Sequence, residues 1–61
     1  MTKEKAIVTI MRWIGCSWKD AEKMFNGVHF WKDENYSAYL DEEDRLCIVR
    51  GGVLIHRIIV L

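Results

Sequence analysis

The sequence predicts an α+β fold in which two short N-terminal helices are followed by an antiparallel meander of three strands, or four. Three observations predict it. Apolar residues recur at spacings of three and four in residues 1–27, short β-branched and aromatic runs follow, and Gly51 and Gly52 separate two of those runs. The 61 residues suffice for one small domain spanning 1–61. So short a chain buries only roughly 60% of the surface it exposes when unfolded, so a partner or a second copy often adds stability.

The first helix is predicted to begin after Thr2, whose hydroxyl can accept a hydrogen bond from a free amide of the first turn. Gly15 is expected to end it in a left-handed conformation, which glycine adopts without a steric penalty. The apolar stripe of this helix consists of Ala6, Ile7, Ile10, Met11 and Ile14. Trp13 lies next to the stripe and is expected in the core.

The second helix is predicted to begin after Ser17, with Asp20 three positions on in a weaker form of the capping box. Asn26 and Gly27 are expected to end it. Its apolar face consists of Trp18, Ala21, Met24 and Phe25. Neither helix is long enough to be stable in water alone, so both must pack on another element.

The strands predicted after the helices are 28–31, which is the optional fourth strand, 36–40, 45–50 and 53–61. Polar turns at 32–35 and 41–44 separate the first three, and Gly51 and Gly52 accept the positive φ of a two-residue hairpin turn. We expect the two helices to cover one face of this sheet.

The last predicted strand is apolar on both faces. Strict alternation places Val53, Ile55, Ile59 and Leu61 on one face and Leu54, Ile58 and Val60 on the other. Because two helices can cover only one face of a small sheet, an apolar face or edge is expected to remain uncovered. We therefore expect a homo-oligomer formed edge to edge or face to face through this strand, with contacts from Val53, Ile55, Ile58 and Val60. The alternative is a central strand that is covered on both sides.

The chain has no global positive field, since nine basic residues balance nine acidic ones. The charges are nevertheless separated along the sequence. Residues 1–27 carry five basic and three acidic side chains, residues 28–44 one basic and six acidic, and residues 45–61 three basic and none acidic. Separated charge favours steering toward a specific protein or a second copy, although solvated turns would give the same pattern.

Residue spacing argues against a metal site and against catalysis. The four candidate zinc ligands are Cys16, His29, Cys47 and His56, and they lack the pairs two to five residues apart that small zinc domains use. The carboxylates cluster in turns where nothing would exclude water or raise a pKa. We therefore expect no metal, no cofactor, no catalytic residue and no enzymatic activity.

The two cysteines are too far apart in sequence to suggest a secreted disulfide scaffold, which favours a cytoplasmic setting. Cys47 alternates with apolar residues and is expected to be buried, whereas Cys16, in the interhelical turn, is expected to be more accessible. Neither a signal peptide nor a membrane span is recognisable. The C-terminal apolar run holds two arginines and a histidine and is shorter than the ~20 residues that a membrane helix needs.

The leading functional hypothesis is a small regulator or inhibitor that binds another protein. Three tryptophans exceed what so small a core needs, and Trp18 and Trp31 occupy positions where part of the ring can remain exposed. Arg50 and Arg57 flank the final hairpin, where a guanidinium can form a fork with a partner's carboxylate. These four residues are the predicted partner-binding site.

The alternative hypothesis is a small DNA-binding regulator. Residues 6–26 have the form of a helix, a glycine-containing turn and a second helix, and the β-hairpin beyond them could act as a wing. Arg12, Lys19 and Lys23 would contact the nucleic acid. Two acidic residues on the second helix, and its lack of the arginines that read base edges, make this hypothesis weaker.

Overall fold

The computed structural model describes residues 1–59 and contains two helices followed by a four-stranded antiparallel sheet. The elements are α1 (Lys3–Ile14), α2 (Trp18–Asn26), β1 (His29–Trp31), β2 (Glu34–Leu40), β3 (Leu46–Arg50) and β4 (Val53–Ile58). The strands pair in the order β1-β2-β3-β4, a simple meander. The predicted fold class and order of elements are confirmed, with β1 arising from the optional run. The last two residues of the predicted final strand lie outside the described part of the chain.

The helix boundaries follow the predicted caps. Thr2 Oγ1 accepts a hydrogen bond from a first-turn amide at 3.2 Å. Gly15 adopts φ 81° and ψ 24°, and its N–H donates to the Met11 carbonyl at 2.8 Å. Ser17 caps α2 by accepting from the Asp20 N–H at 3.2 Å. The connection between the helices is therefore short and internally hydrogen-bonded.

The helices pack on one face of the sheet, which we call the inner face. The buried core consists of Ala6, Ile7, Ile10, Cys16, Ala21, Met24, Tyr36, Ala38, Leu46 and Ile48. The strand register brings the sheet residues to one side, since Ala38 lies opposite Ile48 and Leu40 opposite Leu46. Burial of these apolar side chains is what stabilises two helices that would be marginal in isolation.

Two predictions about burial are wrong. Trp13 is 52% exposed, because it stands at the margin of the α1 stripe and its ring packs sideways against His56 of β4, with centroids 4.8 Å apart. Cys16 is buried, because the α1–α2 connection folds over the core and carries the thiol into it. Burial also raises the pKa of the Cys16 thiol. The predicted burial of Cys47 is confirmed.

β4 is an edge strand, so the alternative of a central strand covered on both sides is wrong. Its pairing with β3 also changes register along its length. Ile48 lies opposite His56, whereas Val49 lies opposite Leu54, so Ile55 is the extra residue of a β-bulge. The strand therefore does not alternate strictly.

The bulge moves the predicted self-association residues to different places. Ile58 lies opposite Leu46 and belongs to the inner face, so the prediction that it shares a face with Leu54 is wrong. Ile55 and Ile58 are both partly buried against the core. Val53 is exposed next to the hairpin turn, and Val60 lies outside the described residues.

Substitution of Gly15 by alanine should lower the free energy of unfolding by about 1–2 kcal/mol, because a Cβ disfavours its left-handed backbone. Gly27→Ala is the matched control. Gly27 also ends a helix and has open space around the position of a Cβ, but its φ of 162° belongs to extended backbone. Urea denaturation of both variants would check this, and equal loss of stability would contradict it.

Candidate interaction surfaces

The face of the sheet turned away from the helices, here called the outer face, is not covered by either helix. Register and alternation place eight strand residues on it: Phe30, Asn35, Ser37, Tyr39, Cys47, Val49, Leu54 and Arg57. Most are apolar, and Phe30 and Leu54 expose 64% and 41% of their surface. Large apolar side chains that stay exposed on one face of a folded chain commonly mark an interaction site.

A row of three residues crosses β2, β3 and β4 on this face. Tyr39 lies opposite Cys47, and Cys47 lies opposite Arg57. The buried Cys47 thiol donates a hydrogen bond to Asp41 Oδ2 at 3.9 Å. A hydrogen bond with the same thiol raises the pKa of the Tyr39 hydroxyl. Arg57 is exposed and forms no ion pair within residues 1–59.

The acidic turn 41–44 lies at one end of the outer face. Asp41 accepts hydrogen bonds from the backbone N–H groups of Glu43 and Arg45, both at 2.9 Å, and from Arg45 Nε at 2.8 Å. The bond from the Arg45 backbone contributes most to the lowered pKa of Asp41. An open cavity of about 230 Å³ beside the turn is lined by Asp41, Glu42, Glu43, Arg45 and Arg57. Arg45 is thus held inside the turn, whereas Arg57 borders acidic groups without an ion pair.

Four exposed residues, Arg12, Trp13, Trp18 and Lys19, lie in the last turn of α1 and the first turn of α2, and we call this group the aromatic corner. Trp18 exposes 42% of its surface. Arg12 and Lys19 are exposed and form no ion pair among the described residues. The two acidic residues of α2, in contrast, pair with other groups. The corner therefore combines two large rings with two positive charges that pair with no acidic group of residues 1–59.

A serine, an aspartate and a histidine meet beside this corner. The Ser17 hydroxyl donates to Asp20 Oδ2 at 2.9 Å, and His29 Nε2 lies 3.0 Å from Asp20 Oδ1. Hydrogen bonds from His29, and then from Ser17, lower the pKa of Asp20. In a hydrolytic triad the histidine stands between serine and carboxylate, whereas here the carboxylate stands between the other two. This network connects the start of α2 to β1 and does not have the order of a hydrolytic triad.

The predicted partner-binding residues occupy different parts of the molecule. Trp18 is in the aromatic corner, and Arg57 is on the outer face. Trp31 is half-buried, with its ring edge-on to Tyr36 and centroids 5.6 Å apart. Arg50 is exposed at the end of β3. No single surface includes all four residues.

The predicted nucleic-acid contacts, Arg12, Lys19 and Lys23, are all exposed on the two helices. Sequence reasoning missed Phe30, Tyr39 and Leu54 as site residues. The sequence did contain a signal for Tyr39. Ser37 and Tyr39 are two positions apart, which places them on the same side of β2, and the acidic turn begins two residues after Tyr39.

The described part of the chain holds no group of three or more histidine, cysteine or acidic side chains arranged to bind a metal ion. Within residues 1–59, neither helix has the length and apolar character that crossing a membrane requires.

The Asp20–His29 contact makes a pH-dependent contribution to stability. Because the folded pKa of Asp20 is lowered from 3.8, its carboxylate stabilises the fold above pH 3.8, and this contribution is lost as the pH falls through the folded value. Asp20→Asn should therefore reduce stability at neutral pH and flatten the acid side of the stability profile. Asp33→Asn is the control, since the Asp33 side chain forms no ion pair or side-chain hydrogen bond among residues 1–59, and asparagine tolerates its positive φ as aspartate does. Thermal unfolding from pH 2.5 to 7 measures both, and parallel profiles for wild type and Asp20→Asn would contradict the assignment.

Comparisons with protein-family models, with curated proteins and with solved structures find no match to this chain.

Proposed function

We propose that the chain is a small non-enzymatic regulator or inhibitor that binds another protein through the aromatic corner and acts as a homo-oligomer. The observation that carries this proposal is the exposure of Trp13 and Trp18, 52% and 42%, beside a core that closes without them. Large rings held by helix ends are typical interface anchors, because they add contact area while only a few bonds must be immobilised.

The charges of the corner favour a partner with an acidic surface. Arg12 and Lys19 flank the two rings in sequence, and neither forms an ion pair in residues 1–59. An arginine next to an exposed aromatic ring can bind a carboxylate with its planar fork while the ring covers apolar surface. Trp31 is half-buried, and Arg50 lies on β3, so we assign neither of them to this interface.

The exposed Arg12, Lys19 and Lys23 also keep DNA binding as the second candidate. Two features favour a protein. α2 has only nine residues, of which two are acidic, and its residues Ala21 and Met24 are buried in the core. In addition, exposed tryptophans contribute little to phosphate contacts, which supply most nucleic-acid affinity and make it strongly dependent on salt.

The test is retention of a partner from the native host lysate on the immobilised chain, with and without nuclease and at low and raised salt. We expect one protein in stoichiometric amount, unaffected by nuclease. Trp18→Ala should reduce its retention at least about tenfold, as expected for a truncated interface anchor, whereas Trp18→Phe keeps most of the ring and most of the retention.

Val53→Ala is the matched control, since it removes exposed apolar surface from the β3–β4 hairpin and leaves the corner intact. Circular dichroism establishes that each variant is folded. Retention that disappears with nuclease, or falls steeply with salt, would favour the DNA-binding alternative. Equal retention by wild type and Trp18→Ala would remove the corner as the interface.

A further inference from the structure

We propose that the outer face is covered by a second copy of this chain, packed sheet to sheet about a two-fold axis that runs along β3. This inference rests on the homo-oligomer in the proposed function and names the surface that forms it. The surface differs from the contacts predicted through the last strand, edge to edge or face to face, because Ile55 and Ile58 pack partly buried against the core. The aromatic corner stays free for another protein.

The cross-strand register makes the outer face complementary to itself. In one row Tyr39 and Arg57 lie on either side of Cys47. A two-fold axis that lies between the two sheets, parallel to β3 and above Cys47, therefore places Tyr39 of each copy opposite Arg57 of the other. Each guanidinium then lies over the Tyr39 ring of the second copy, an arrangement that arginine and aromatic rings favour. Face-to-face sheets stay within about 30° of alignment, so such rows remain in register near the axis.

The neighbouring row obeys the same symmetry. Ser37 and Leu54 lie on either side of Val49. The two-fold axis therefore places the large Leu54 over the small Ser37 of the second copy and brings the two valines together. Large residues facing small ones is the pattern that lets two layers interdigitate.

Charge complementarity points to the same occupant. Arg57 forms no ion pair among the described residues, and Asp41 follows Tyr39 by two positions on the same side of β2. The exchange of Tyr39 and Arg57 thus also brings each guanidinium toward the acidic turn of the second copy. Both contacts occur twice, once for each copy.

The size of the surface sets the expected strength. Eight strand residues per copy are fewer than the roughly 20–30 residues a side of a standard interface, so a dimer with a micromolar Kd is expected. Edge pairing through β4 is less suitable, because the bulge at Ile55 interrupts the regular ladder of unpaired backbone groups.

The first test compares two neighbouring substitutions by sedimentation equilibrium of the purified chain. Leu54→Lys places a charge on the outer face, whereas Val53→Lys places one at the adjacent residue, which lies opposite Arg50 on the other side and is the more exposed, at 63%. We expect the dimer Kd to rise at least about tenfold for Leu54→Lys, as for loss of an interface anchor, and to change less than about threefold for Val53→Lys.

The second test mixes two defective chains. Neither Tyr39→Ala nor Arg57→Ala can form the Arg57–Tyr39 contact in its own homodimer. A heterodimer of the two restores one such contact, between Arg57 of the first chain and Tyr39 of the second. The mixture should therefore associate more tightly than either variant alone, and a contact within one chain would not give this result.

Three results would overturn the inference. The first is a wild-type chain that stays monomeric at several hundred micromolar, about a hundredfold above a micromolar Kd. The second is a Val53→Lys variant that weakens the dimer as much as Leu54→Lys does. The third is a mixture of Tyr39→Ala and Arg57→Ala that associates no more tightly than either variant alone. Each is measured on the purified chain, so failure here leaves the lysate retention of wild type and Trp18→Ala to decide the proposed function separately.

Discussion

The structure depends on one constraint: two short helices can cover only one face of the sheet. α1 and α2 have 12 and 9 residues, lengths at which helices are marginal in water, so their apolar stripes must be buried against the strands. That burial occupies the middle of the inner face, where Tyr36, Ala38, Leu46 and Ile48 are buried. No helix of the described chain covers the outer face, and Phe30, Tyr39 and Leu54 stay exposed there, although Cys47 is buried.

Features set by local chemistry could be predicted from the sequence. Thr2 and Ser17 cap the helices and Gly15 ends α1, because each requirement concerns atoms a few residues apart. The Gly51–Gly52 turn belongs to the same class. β1 was harder to predict, since its turn to β2 uses Lys32 and Asp33 with positive φ and contains no glycine.

Features set by distant packing could not be predicted. Trp13 lies outside the core and packs against His56, a β4 residue some forty positions later in the chain, with ring centroids 4.8 Å apart. Cys16 is buried because the helix connection folds over strands that follow it in the chain. The bulge at Ile55 depends on pairing with β3 and shifts the remainder of β4 relative to strict alternation. Most of the outer face was therefore missed, although Arg57 was found.

The formal net charge is zero, but the acidic and basic side chains of the folded chain differ in how many form ion pairs. Within residues 1–59, five acidic side chains enter ion pairs: Asp20, Glu22, Asp41, Glu43 and Asp44. Only two lysines or arginines, Lys3 and Arg45, take part in those contacts, because Asp44 pairs with the N-terminal amine and Asp20 contacts the His29 ring. The fold therefore pairs more acidic side chains than lysines and arginines within residues 1–59, and both the aromatic corner and the outer face carry a basic side chain without an ion pair there. Arg12 lies in the last turn of α1 next to the exposed Trp13, and Arg57 lies in a row with Tyr39. Each surface thus combines an aromatic ring with a guanidinium that has no ion pair within residues 1–59, and arginine and aromatic residues are enriched among the residues that dominate binding energy.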